Sequence, residues 1–188
     1  VITGSYIDNC FIELTNEYDS APEFNSEFSF SALSVTDNVF LSGDVAPWFS
    51  YFVIKPHGAG HFLSGVSVTG NRFKSLGATI DRAERMDTSF ADLDYGRMRD
   101  VNFTANSFHG VREKATNPLR IKHTESSVAS TWTIETDEKF PFKGQALAID
   151  SAIALGRIRN SSDSIVFPSP AADIRKGANF DQFHLTWD

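Results

Sequence analysis

Cysteine is nearly absent: Cys10 is the only one in 188 residues, which excludes an intrachain disulfide and any multi-cysteine metal site. Its place between Asn9 and Phe11 predicts a small packed side chain. No apolar run approaches the roughly 20 residues of a membrane-spanning helix, and the N-terminus lacks the charged-then-apolar form of a signal peptide. Cations are outnumbered, with 17 Lys and Arg against 24 Asp and Glu. The formal net charge of −7 repels a phosphate backbone and argues against a nucleic-acid partner. Rings with a polar atom are also few, 4 Tyr and 3 Trp beside 17 Phe, so most aromatic side chains suit interior stacking better than surface. A Gly-rich phosphate loop, a G-x-S-x-G elbow and a Cys-His pair are all missing, and nothing in the sequence calls for a cofactor or a resident metal.

What the chain does have is a repeat. The octet V-S-V-T-G-N-R-F at 66–73 returns as L-S-V-T-D-N-V-F at 33–40 and V-N-F-T-A-N-S-F at 101–108, with a degraded copy, G-S-Y-I-D-N-C-F, at 4–11. The shared asparagines are Asn9, Asn38, Asn71 and Asn106, at unequal steps that fit coils differing in loop length. Ahead of each of the last three asparagines, apolar residues (Leu33 and Val35, Val66 and Val68, Val101 and Phe103) alternate with Ser, Thr or Asn. That is the two-residue period of a strand with one buried face. The Asp37-Asn38, Gly70-Asn71 and Ala105-Asn106 steps are turn chemistry, with Asn expected to take the left-handed backbone of a sharp bend. Stacking such coils pairs each strand with its copies and places the Asn and Phe side chains in internal columns.

Those units resemble coils of the right-handed parallel β-helix proteins of the pectate-lyase-like superfamily, over residues 1–122. The resemblance implies an all-β fold with internal asparagine ladders and aromatic stacks. It leaves function open, because the superfamily includes polysaccharide lyases, glycoside hydrolases, epimerases, bacteriophage tailspikes and binding scaffolds. The chain begins at Val1 in what reads as the middle of a coil, so we expect it to be the carboxyl-terminal part of a longer polypeptide. Residues 1–125 are assigned to the β-helix (solenoid) and 126–188 to a small antiparallel β cap that would cover its exposed last edges.

Between the copies, Phe24, Phe28 and Phe30 alternate as if completing a coil, and P-W-F-S-Y-F-V-I at 47–54 leads into the breaker-rich H-G-A-G-H. His57 and His61 have the spacing of a helical metal pair, but the intervening glycines predict a loop. The segment 78–100 is densely charged. Its apolar residues Ile80, Ala83, Met86, Phe90 and Leu93 fit a short amphipathic helix, and Thr79-Ile80 fit the start of another coil strand equally well. Further on, T-W-T-I from Thr131, the alternation of Leu147, Ile149, Ile153 and Leu155, then I-V-F and F-H-L-T-W read as strands. Pro141, Gly144, Gly156, Pro168, Pro170 and Gly177 mark the bends.

Arg120-Ile121-Lys122 would place two cations on one strand face, suited to a uronate carboxylate. It resembles the Arg-Ile-Lys of polygalacturonase-type hydrolases, yet the Asn-Thr-Asp, Asp-Asp and Gly-His-Gly motifs of that family are absent, which removes the implied catalytic acids. Asp81, Glu84, Asp87, Asp92 and Asp94 are the acids available for a hydrolytic pair, about 5 to 9.5 Å apart by route. Arg82, Arg85 and Arg97 are the bases available for β-elimination, a reaction that usually adds carboxylate-bound Ca²⁺. Mixed charges on one loop also make ordinary surface ion pairs worth about 0 to 1 kcal/mol each. Among the aromatics, Trp48 beside Pro47 is the best exposed candidate to stack on a sugar ring; on a strand Phe49 and Tyr51 point opposite to Trp48 and Phe52, so at least one of these pairs is expected in the core.

The carbohydrate-binding set read from the sequence is therefore Arg82, Arg85, Arg97, Arg120, Lys122 and Trp48, with catalytic residues unassigned. The first reading is a surface polysaccharide-recognising module of a phage-type spike or similar extracellular or virion protein. The second is a lyase or hydrolase of acidic glycans. The third is a structural segment whose partners are copies of itself, as in a trimeric spike.

Overall fold

Alternation of apolar and polar residues draws the repeat into register, strand upon strand. In a computed structural model, which describes residues 1–26, 29–167 and 169–187, Val35 lies beside Val68 and Val68 beside Phe103, all parallel. Phe40 likewise lies beside Phe73, and Phe73 beside Phe108. The chain is all-β: a parallel β-solenoid of about three turns, with antiparallel sheets toward the C-terminal end. Phe28 and Pro168, read above as a strand position and a bend, lie outside the described residues.

Three walls make the solenoid. The first contains Ile2–Thr3, Ser34–Thr36, Leu63–Thr69 and Arg99–Thr104, with Phe30–Ser31 also pairing on Leu63–Thr69. The second contains Tyr6–Asp8, Val39–Ser42, Arg72–Ser75 and Ser107–His109, and the third Ile12–Thr15, Phe52–Lys55 and Glu84–Met86. A further parallel pair joins Ile80–Arg82 to Val111–Glu113. The segment 78–100 thus resolves toward strands, with only a 3₁₀ turn at Tyr95–Arg97 and no amphipathic α-helix.

The bend between the first and second walls is where the repeat acts. Asn38 and Asn71 are buried there, and each amide bonds the next coil: Asn38 Nδ2 donates to Asn71 Oδ1 at 3.0 Å and Asn71 Nδ2 to Asn106 Oδ1 at 3.1 Å. The same oxygens accept the backbone N–H groups of Asn38 and Asn71, and the second amide hydrogens reach the carbonyls of Ile2, Val35 and Val68. Removing one amide strands buried donors at about 1 to 3 kcal/mol each. The left-handed residue is the one before each ladder position: Gly4, ahead of Ser5, and Asp37, Gly70 and Ala105, ahead of asparagines, have φ of 60, 55, 71 and 55°. Asparagine was expected to take that conformation itself; Asn38, Asn71 and Asn106 do not, and Asn9, outside the ladder, does at φ of 51°.

The first coil also corrects the alignment. Ser5, not Asn9, occupies the asparagine column, its N–H donating to Asn38 Oδ1 at 2.9 Å, and Ile7 occupies the phenylalanine column beside Phe40. Asn9 instead caps a later bend, accepting from the Gly43 N–H at 2.8 Å. Cys10, next to it, is exposed rather than packed. Inside, Phe40 and Phe73 stack at 5.0 Å and Phe73 and Phe108 at 5.4 Å. Their burial with Tyr51, Phe52 and Phe103 supplies most of the aromatic core.

The chain forms two compact units: Val1–Leu119 with Lys139–Gly144, and Arg120–Glu138 with Gln145–Asp188. In the first unit the first-wall strand of the last coil is closed from within. Asn117 exchanges both backbone hydrogen bonds with Phe103, its side-chain amide donates to the Val101 carbonyl, and Phe142 packs into the core. In the second, Thr131–Glu135, Gln182–Thr186 and Ala171–Lys176 form an antiparallel sheet in which Ile134 and Leu185 are buried, and Ile158–Arg159 pairs with Ile165–Val166. The alternation at 147–155 forms no strand: Leu147, Ile153 and Leu155 are exposed, and no described strand pairs with the segment.

Candidate functional site

The outward face of the third wall gathers cations and rings. Glu13, Val53 and Arg85 stand in one row across the strands, with Thr15 beside Lys55. Trp48, in the turn before the Phe52 strand, is 65% exposed, and the Arg85 guanidinium carbon lies 5.8 Å from its ring centroid. Arg85 also approaches the Asp87 carboxylate at 4.0 Å. The Ser89 hydroxyl, donating to Asp87 at 2.6 Å, lowers the pKa of that carboxyl below its ordinary value, so Asp87 is ionised beside Arg85. Phe49, Tyr51 and Phe52 are all buried and Trp48 remains outside, so Trp48 and Phe52 do not share a face: Trp48 lies in a turn and the strand begins only at Phe52.

A second ring lies along the same face. Phe90 is 62% exposed, Lys55 Nζ is 5.1 Å from its centroid, and the His57 ring stacks on it at 4.3 Å. Lys55 also pairs with Glu17 at 3.5 Å. The His57-to-His61 stretch is a loop, with Gly58 and Gly60 at φ of 78 and 87°. His61 is buried, its Nε2 2.6 Å from the Pro22 carbonyl, and it helps line a cavity of about 200 Å³ with Asp19, Glu23 and Asn25. Neither Phe90 nor Lys55 stood out in the sequence. Phe90 fitted a helical apolar stripe, and the signal available was its place in a loop with no strand period of its own.

The other sequence candidates separate. Arg97 rests on Phe24 and Phe62 at 4.6 and 4.2 Å. Arg82, expected on the outer wall, turns inward: its Nη2 donates to Glu84 Oε1 at 2.5 Å and to the Phe140 carbonyl at 2.9 Å. Burial of the Glu84 carboxylate is the physical reason, because an isolated buried charge is too costly without a partner. Arg120 and Lys122 belong to the second unit and are exposed, but they lie on no strand; Asn117 already occupies the edge of the last coil where a strand would have added.

The acids of 81–94 are engaged locally. Asp81 pairs with Arg112, Asp92 accepts from the Tyr95 hydroxyl at 2.7 Å, and Asp94 caps the 3₁₀ turn through the Gly96 N–H. Glu84 is pushed up from its ordinary value by burial, with Arg82 opposing the shift. A raised carboxyl suits a general acid, but Glu84 is sealed beneath Phe142, whose N–H donates to it at 3.3 Å, and so meets no substrate. Among the described residues, no group of three or more His, Cys, Asp or Glu side chains is placed to hold a metal ion, and no helix is long and apolar enough to cross a membrane. Comparison with protein-family models, curated proteins and solved structures found no match to this chain.

Proposed function

We propose that the solenoid recognises polysaccharide along the outward face of its third wall, as part of a pectate-lyase-like module of the tailspike type at an extracellular or virion surface. The observation that carries this reading is the pair of exposed rings, Trp48 and Phe90, each with a cation against it, Arg85 and Lys55. Exposed rings supply flat apolar platforms for sugar rings, and the adjacent cations meet hydroxyl oxygens or uronate carboxylates. The asparagine ladder and the phenylalanine stack support the superfamily reading, because they are the features the resemblance implies. Retention on a panel of capsular polysaccharides tests the site. Trp48→Ala and Phe90→Ala should each weaken binding about tenfold, the loss of about 1.4 kcal/mol of stacking. Full binding by both variants would place recognition elsewhere.

A second reading, assembly with copies of itself as a trimer, is favoured by the exposed Leu147, Ile153 and Leu155 of the second unit. An alternating apolar segment with no strand partner is a surface that self-association would bury.

A further inference from the structure

Arg72 and Lys74 flank the buried Phe73 on the Arg72–Ser75 strand, so both project outward from the second wall, and both are exposed. Register gives them their surroundings. Arg72 stands between Val39 and Ser107, with Tyr6 beyond Val39. Lys74 stands between Leu41 and His109, with Asp8 beyond Leu41. Tyr6 is 62% exposed, while Val39 and Leu41 are half-buried and form an apolar floor between it and the cations.

Most solenoid cations are neutralised or covered. Arg82 pairs with Glu84, Arg112 with Asp81, Lys55 with Glu17 and Arg85 with Asp87, and Arg97 lies on two phenylalanines. Arg72 and Lys74 have no side-chain hydrogen bond or ion pair to any described residue. Side chains two apart on a strand are separated by about 6.6 Å at the backbone, and adjacent strands by about 4.8 Å. Two long cationic side chains on that spacing can bracket one oxyanion from opposite sides, Arg72 presenting its fork and Lys74 a point charge.

We infer that this face of the second wall binds an acidic polysaccharide, one anionic substituent held between Arg72 and Lys74 and a neighbouring ring laid on Tyr6. The inference rests on the proposed polysaccharide reading for the class of ligand, but on a different wall for the site. Charge complementarity carries it: with a net charge of −7 on the chain, a polyanion is repelled everywhere except where cations stand unpaired. Carboxylate and sulfate share this chemistry, and two cations are too few for the run of phosphates that a nucleic acid presents.

The test uses the whole chain and four probes at low ionic strength: polygalacturonate, sulfated dextran, neutral dextran and duplex DNA. The Arg72→Ala/Lys74→Ala variant should lose at least about tenfold in affinity for whichever acidic polysaccharide binds, equivalent to one lost charge-assisted contact, with neutral dextran unaffected. Comparison of the two acidic probes shows whether carboxylate or sulfate is preferred. Both side chains are exposed, so an unchanged Tm confirms that the loss is local. Wild-type affinity in the double variant, DNA binding as tight as the glycan, or no acidic polysaccharide binding by the wild type would each overturn the inference. Trp48→Ala run in parallel separates the two sites. Loss there with an intact double variant overturns only this inference, and the reverse overturns only the third-wall site.

Discussion

Glu84 shows how far a single side chain departs from what its neighbours in sequence announce. In the charged run 78–100 it reads as one more surface acid, but the strand Glu84–Met86 starts with its first residue facing the core, and the carboxylate is fully buried against Arg82. Because burial raises its pKa above the ordinary 4.5, the folded chain holds a proton more tightly there than the unfolded chain does. The stabilisation from that proton is complete below about pH 4.5 and is lost as pH rises through the raised folded value. The stability of the wild type relative to Glu84→Gln should therefore grow as pH falls from about 7 toward 4.5, measured by denaturant unfolding of both proteins across that range. Asp87 drifts the opposite way in both proteins and cancels in the difference. A gap that is constant, or that shrinks toward acid, would contradict the assignment.

At the scale of the element, the Asn-x-Phe units at 38–40, 71–73 and 106–108 were legible because one-sided burial and a side-chain ladder both depend on residues fixed by the repeat. The first coil was misaligned for a physical reason. Asn9-Cys10-Phe11 reproduces the letters, but the pairing is set by Ile2, Thr3, Gly4, Ser5, Tyr6 and Ile7, which keep the apolar alternation and the left-handed position. Ser5→Asn should then extend the ladder by one rung onto Asn38, raising stability by about 1 kcal/mol in urea unfolding; no gain would mean that the first coil is not held in this column. Alternation failed at 147–155, where a period of two found no sheet edge to join, and at Arg120 to Lys122, where the edge was taken. The candidate site was half legible: Arg85 is the middle of the strand Glu84–Met86 and Trp48 follows Pro47 in a turn, whereas Phe90 reaches the wall only through a loop whose path no periodicity encodes.

For the whole molecule, the exposed Leu147, Ile153 and Leu155 set the expectation for association. Light scattering at micromolar concentration should give the mass of three chains, and replacing those three residues with serine should give a monomer with its Tm unchanged. A wild-type monomer would remove the assembly reading and leave the glycan sites standing on their own.

The seal on the last coil has a consequence for how such a solenoid can propagate. Stacked parallel strands are a natural nucleus for fibres, since each edge templates the next layer. Here Asn117 takes the outer edge of Phe103 in the first wall and Phe142 packs into the core, while Ser107–His109 in the second wall has no strand partner on its far side among the described residues. Growth by strand addition is therefore blocked in the first wall, while the second wall keeps the edge of Ser107–His109. In that first wall Asn117 acts as a chain terminator written into the fold.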